Sequence, residues 1–189
     1  MKKTLLFFTG TLILLAGCAT TMPGYSSVSG HERLPVQRAE IIKEAETYIG
    51  TPYHSPPNVP RSFDCSSFVS YVYSQFGYTL PTATSAYSNV GRKINWKDAV
   101  PGDILVFARV KGTQHVDHVG LLYKKSANGE LAGSLVIHAA SINTGTSMKR
   151  GNPDTKTGIV VTQLGLRGDG IIDNEYFYQR FMYCTSVLK

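Results

Sequence analysis

FDCSSFVSYVYSQFG, Phe63 to Gly77, is the stretch on which the reading of the chain turns. Cys65, Phe68, Val69, Val72, Tyr73 and Phe76 fall at i, i+3, i+4, i+7, i+8 and i+11, the spacing of a helix with one buried stripe. Gly77 closes the segment, and Asp64 occupies its N-cap or first-turn position. Cys65 therefore belongs to the first turn, and three readings of it stay open: a nucleophile, half of a disulfide, or a small buried thiol. A thiol attacks as thiolate, and free cysteine titrates at about pH 8.5. The positive end of a helix lowers that value, and so does a nearby imidazolium.

Upstream, Ile41, Ile42, Ala45, Tyr48 and Ile49 give Gln37 to Ile49 the pattern of an amphipathic helix, ended by Gly50 and Pro52. HSPPNVPRS, His54 to Ser62, is a proline-rich loop leading into the Cys65 helix. Downstream of Trp96 the character becomes extended. Asp103 to Ala108, Asp117 to Tyr123, Ser134 to Ala140, Ile159 to Gln163 and Tyr178 to Cys184 read as strands. Two polar, glycine-containing stretches, Thr144 to Gly158 and Gly165 to Asn174, read as loops. Helices first and strands second predict an α+β domain, with helices packed on an antiparallel sheet of about five or six strands.

The N-terminal segment is of a different kind. Met1-Lys2-Lys3 is followed by an uncharged apolar run of 14 residues, Thr4 to Gly17. A membrane-spanning helix needs about 20, so the run reads as a signal peptide over residues 1–17. Leu15-Ala16-Gly17-Cys18 resembles the bacterial lipoprotein processing box, which would make Cys18 the lipidated residue and the chain's membrane anchor. Residues 18–35, rich in Ser, Thr, Gly and Pro, read as a flexible tether, and residues 36–189 as the domain. The formal charge is +6, and losing Lys2 and Lys3 with the signal lowers it by two. No long basic run is present, and an exported chain is not expected to bind nucleic acid. Cys65 and Cys184 would sit in an oxidising compartment, where pairing between them is the plain alternative.

Two histidines lie within the predicted strands. His118 shares a strand face with Gly120 and Leu122, and the glycine leaves room for close approach by another element, such as a helix end. His138 follows 20 residues later. A two-residue Asn128-Gly129 turn would set the two imidazoles on opposite faces. A longer loop or a bulge, for instance at Gly133, would bring them to one site. In that arrangement Cys65 attacks a carbonyl, His118 takes and returns the proton, and His138 fixes the tautomer of His118. Backbone N–H groups at the helix start would face the developing oxyanion. His115 and His118 have opposite strand parity, and no further ligand stands at a familiar zinc spacing, so neither a metal nor another cofactor is expected.

FDCSSFV, TLPTATSAY, AVPGDILVF, DHVGLLY and VIHAA, in that order, resemble the NlpC/P60 family of cell-wall cysteine peptidases from about Ala39 to the C-terminus. The resemblance implies a papain-like α+β fold and hydrolysis of peptidoglycan stem peptides between D-glutamate and a diamino acid. It implies Cys65 as nucleophile, His118 as base and His138 as the third polar residue. It also implies that Tyr53, Asp64 and Ser66 line the site. Three departures stand out: His54-Ser55-Pro56-Pro57 where the family often has an aromatic-Gly-Gly element, Ser67 where it often has glycine, and extra material, GELAGS, between the histidines.

The expected partners are stem peptides, a membrane reached through the lipid on Cys18, and a regulatory adaptor or inhibitor, since wall cleavage must be controlled during growth. Ala19 is not the aspartate of inner-membrane retention, so a diderm source would place the protein on the outer membrane facing the periplasm. Two alternatives differ in class: a related thiol amidase or acyltransferase, and a non-catalytic wall-binding lipoprotein.

Overall fold

The computed structural model describes residues 30–141, 157–165 and 175–188. The expected signal segment, Cys18 and most of the tether lie outside the described residues, as does nearly all of the two loops expected at 144–158 and 165–174. The first helix, α1, spans Gly30–Glu46, so helical backbone starts within the expected tether. Its core contacts match the sequence pattern at Ile41 and Ala45, both fully buried. Ile49 does not follow the stripe. The helix ends before it, and Ile49 stands 51% exposed in the turn that follows.

Helix α2, Cys65–Ser74, starts where Asp64 predicts, and the reason is a complete capping box. Ser67 N–H donates to Asp64 Oδ1 at 2.7 Å, and Asp64 N–H donates to Ser67 Oγ at 2.9 Å. Two amides that a helix start would leave unpaired are thus satisfied. Serine at 67, one of the departures noted above, is what closes the box. Phe68, Val69, Val72 and Tyr73 are fully buried. The Tyr73 hydroxyl keeps a partner in the core by donating to Gly102 C=O at 2.6 Å.

The sheet has six antiparallel strands: β1 Arg92–Ile94, β2 Ile104–Ala108, β3 Val116–Lys124, β4 Leu135–Ala140, β5 Gly158–Gln163 and β6 Phe181–Ser186. Their spatial order is β1-β6-β2-β3-β4-β5. Four strands match their expected spans to within a residue or two. The last does not, because Tyr178, Gln179 and Arg180 belong to a short helix, α3, Glu175–Arg180, and the strand begins after them. The apolar run FMYC could not show where the helix gives way to the strand. Strand β1 and the 3₁₀ turns Thr84–Asn89 and Trp96–Asp98 are additional to the sequence reading.

Period-two alternation divides the buried residues between two cores. Val106, Val119, Leu121, Ile137 and Ala139 face α1 and α2. Leu105, Phe107, Leu122, Val136 and Cys184 face the other way and are covered by Phe177 of α3. Arg38 joins α1 to the sheet by donating to Asp103 at 2.7 Å and to Ser186 Oγ at 2.9 Å. Asp103 is buried and Arg38 partly so, which leaves the carboxylate dependent on this partner.

Candidate active site

The pairing of β3 with β4 decides whether the two histidines meet. Leu121 pairs with Ile137 and Leu122 with Val136, then the register shifts so that Lys124 pairs with Leu135. The irregularity therefore falls at Tyr123 rather than Gly133, and a long loop, not a two-residue turn, joins the strands. Continued from Leu121, this register sets Gly120 against His138 and leaves His118 on the adjacent diagonal of the same face. A Cβ on Gly120 would stand 2.9 Å from His138 Cβ and 2.7 Å from Val136 Cγ2. The space that Gly120 leaves is thus taken by side chains of the neighbouring strand, not by a helix end. Across it, His118 Nε2 and His138 Nδ1 form a 2.8 Å hydrogen bond.

His138 Nε2 in turn bonds Thr162 Oγ1 at 2.8 Å, on β5. Phe177 closes over both imidazoles, with ring centroids 4.8 Å from His118 and 4.9 Å from His138. Phe107 borders His118 at 5.9 Å. Burial holds the pKa of His118 well below the ordinary imidazole value, with the neighbouring His138 acting in the same direction. Burial alone takes His138 down to about 3. Both rings are neutral at physiological pH.

Cys65 is the first residue of α2 and 6% exposed. Its sulfur lies 3.3 Å from Thr84 Oγ1, on the 3₁₀ turn that follows α2. Burial raises the thiol pKa. Hydrogen bonds from Thr84 and from the backbone amides of Val119 and Ser66 oppose the rise, and the Asp64 carboxylate adds to it. The expectation that a helix start and an imidazolium would lower this thiol is therefore not met at rest, since desolvation outweighs the helix end and neither imidazole is charged. Val119, whose amide acts on the thiol, directly follows His118 on β3. His118 and His138 share the sheet face of Phe107 and Phe177, whereas Cys65 packs with α1 and α2 on the other, and Cys65 makes no hydrogen bond to His118 among the described residues. His118 Nδ1, like the Cys65 N–H, has no hydrogen-bond partner there either.

The remaining expected site residues surround the thiol in different ways. Tyr53 is half-buried and bridges to Phe63 in parallel pairing, just before α2. Burial raises its phenol pKa, and the charges of Cys65, Asp64 and Asp117 raise it further, which places all three within electrostatic reach of Tyr53. Asp64 caps α2. Ser66 is 1% exposed and donates to Thr82 C=O at 2.6 Å, pinning the segment that carries Thr84. Cys184 is free, lies in the second core, and has its pKa pushed up by burial to about 12. A Cys65–Cys184 disulfide is absent, because the sheet lies between the two thiols. Thr84, Thr162 and Phe177 were not among the residues singled out from sequence. A polar residue directly after the apolar run Ile159-Val160-Val161, at a position on the strand's alternating pattern, was the available signal for Thr162. Nothing local marks Phe177.

The profile of the NlpC/P60 family matches residues 50–155, more than half of the chain. The chain belongs to the NlpC/P60 family. Among relatives of this NlpC/P60 chain, a probable endopeptidase p60 from Listeria seeligeri is 41% identical over 76 residues, 40% of this chain and 14% of that protein. A gamma-DL-glutamyl hydrolase from Bacillus subtilis (strain 168) is 36% identical over 83 residues, 43% of this chain and 20% of that protein. The matches thus span a small part of those longer relatives. Among solved structures, the NlpC/p60 domain of the peptidoglycan hydrolase SagA is 27% identical at a TM-score of 0.50, covering 79% of this chain and 97% of that one. An NlpC/P60 family protein from Bacillus cereus ATCC 10987 aligns at a TM-score of 0.61 and 18% identity, over 80% of this chain and 40% of that one, a likeness of fold.

Proposed function

We propose that this NlpC/P60 domain is a cysteine endopeptidase acting on peptidoglycan stem peptides, at the bond between D-glutamate and a diamino acid. The observation that carries the reading is the 2.8 Å His118 Nε2–His138 Nδ1 bond, alongside a Cys65 that opens the capped helix α2 and whose thiol feels the Val119 amide, next to His118 on β3. His118 uses Nε2 to bond His138, so the nitrogen left for the thiol is Nδ1, the one nearer to that main chain. The names of the relatives, an endopeptidase and a gamma-DL-glutamyl hydrolase, support the substrate class.

At rest the pair is a neutral thiol and a neutral imidazole. In attack the Cys65 proton passes to His118 Nδ1 as sulfur bonds the carbonyl carbon. The oxyanion takes a hydrogen bond from the Cys65 N–H at the start of α2, which has no partner among the described residues. The imidazolium then protonates the departing amine as the C–N bond breaks, leaving a thioester. Water, deprotonated by His118, cleaves the thioester and restores the thiol. Tyr53, with its phenol kept protonated, and Asp64 line the approach, and Asp64 is suited to a substrate ammonium group. A lipid on Cys18 would tether the domain to the outer membrane on its periplasmic side, within reach of the wall.

Digestion of defined muropeptides by the wild-type and Cys65→Ala proteins tests the reading, with products identified by mass. The wild type should release fragments ending at D-glutamate, and Cys65→Ala should release none. Equal products from both would reject the mechanism. Cleavage at another bond would retain the nucleophile and reject the stated specificity.

A further inference from the structure

Three polar side chains cross three adjacent strands on one diagonal: His118 on β3, His138 on β4 and Thr162 on β5. The register makes the diagonal regular. His138 pairs with Val160 and Val136 with Thr162, so Thr162 is displaced two residues along β5 on the face His138 occupies, and His138 is displaced likewise from His118. Thr162 is 2% exposed, and its hydroxyl bonds His138 Nε2 at 2.8 Å. Between Gly158 and Gln163 at its ends, β5 is otherwise apolar, Ile159, Val160 and Val161, so a hydroxyl buried here answers a need that packing does not create.

That need lies in the direction of the hydrogen bonds. Each buried neutral imidazole carries one proton, so the line has two possible polarities. In one, Thr162 donates to His138 Nε2, His138 donates from Nδ1 to His118, and His118 carries its proton on Nδ1, where it cannot accept one from Cys65. In the other, His138 donates from Nε2 to Thr162 Oγ1, and its Nδ1 accepts from His118 Nε2. His118 Nδ1 is then free to accept. Only the second polarity survives proton uptake, because the imidazolium formed on His118 has N–H on both nitrogens. In the first it would face the N–H of His138.

We propose that Thr162 is a positioning residue whose hydroxyl, as acceptor from His138 Nε2, holds the two-histidine line in the tautomer that leaves His118 Nδ1 open to the Cys65 proton. The proposal rests on the reading of Cys65 and His118 given above. Thr162 touches neither substrate nor thiol and acts through His138 alone.

Nitrogen-15 histidine spectra of the full chain at pH 7 report the tautomers without substrate. The wild type should show both His118 and His138 protonated on Nε2. In Thr162→Val, which keeps the branched shape a strand favours, the Nε2–H form of His138 should lose its dominance, and Thr162→Ser should restore it. On a defined stem peptide, Thr162→Val should lower kcat by about 10- to 100-fold with KM little changed, and Thr162→Ser should recover most of the loss. An Nδ1–H tautomer at His138 in the wild type would overturn the proposal, as would a Val variant with wild-type tautomers or wild-type kcat. Those results leave the Cys65 reading intact if Cys65→Ala is inactive. Turnover retained in Cys65→Ala would instead reject that reading and the proposal with it.

Discussion

The Cys65 thiol opens a helix, yet burial raises its pKa, and the imidazole closest along β3 is kept neutral by the same exclusion of water. Substrate-free alkylation of Cys65 by iodoacetamide, followed by peptide mass, should be slower at pH 7 than in the unfolded chain and should climb into the alkaline range. A rate that stayed flat down to pH 5 would instead reveal a standing thiolate–imidazolium pair. The histidines also tie stability to pH. Unfolded, each titrates at about 6.5; folded, His118 lies well below that value and His138 at about 3. Between those limits the unfolded chain binds more protons. Their contribution to stability is therefore complete above about pH 6.5 and is lost as pH falls toward the folded values. The expected slope is about 1.4 kcal/mol per pH unit for each histidine well inside that window. Urea midpoints between pH 6.5 and 5 should fall more steeply for the wild type than for a variant carrying His118→Gln and His138→Gln. Equal slopes would contradict buried neutral rings.

Strand β3 is where local sequence and tertiary requirement meet most tightly. Gly120 carries no side chain because His138 Cβ and Val136 Cγ2 already fill the place of its Cβ. Gly120→Ala should push β4 away and spoil the His118–His138 bond. It should cost about 1–3 kcal/mol in stability, a typical value for overpacking, and more in kcat than in KM. Denaturant melts and turnover on a stem peptide check both, and a fully active, equally stable variant would show that the strands can yield. In α2 the sequence was more directly legible. Asp64 and the apolar stripe specified start, register and buried face, and the structure reproduces all three, with Ser67 completing the cap. The end of the chain was less so. FMYC is apolar in either state, and the helix before it is held by Phe177 against the histidines and Phe107, contacts made with residues far away in sequence.

The sheet as a partition settles the fate of the cysteines. With α1 and α2 on one face and α3 on the other, Cys65 and Cys184 belong to different cores and cannot approach to disulfide distance. Oxidation of the folded protein by diamide should leave both unpaired with each other, read as the absence of the cross-linked peptide after digestion under non-reducing conditions. Its appearance would mean that the two faces open. What the sequence determined by itself was everything set by neighbours along the chain: the capped helix that Cys65 begins, four strands of the sheet, and the ordered motifs that name the family. Tertiary structure alone decided the rest. It placed the two imidazoles on one diagonal through a register shift at Tyr123, ended their line on Thr162, and sealed them under Phe177. It also reversed the expected effect on the thiol, because desolvation depends on what packs around a group and not on the residues beside it in the chain.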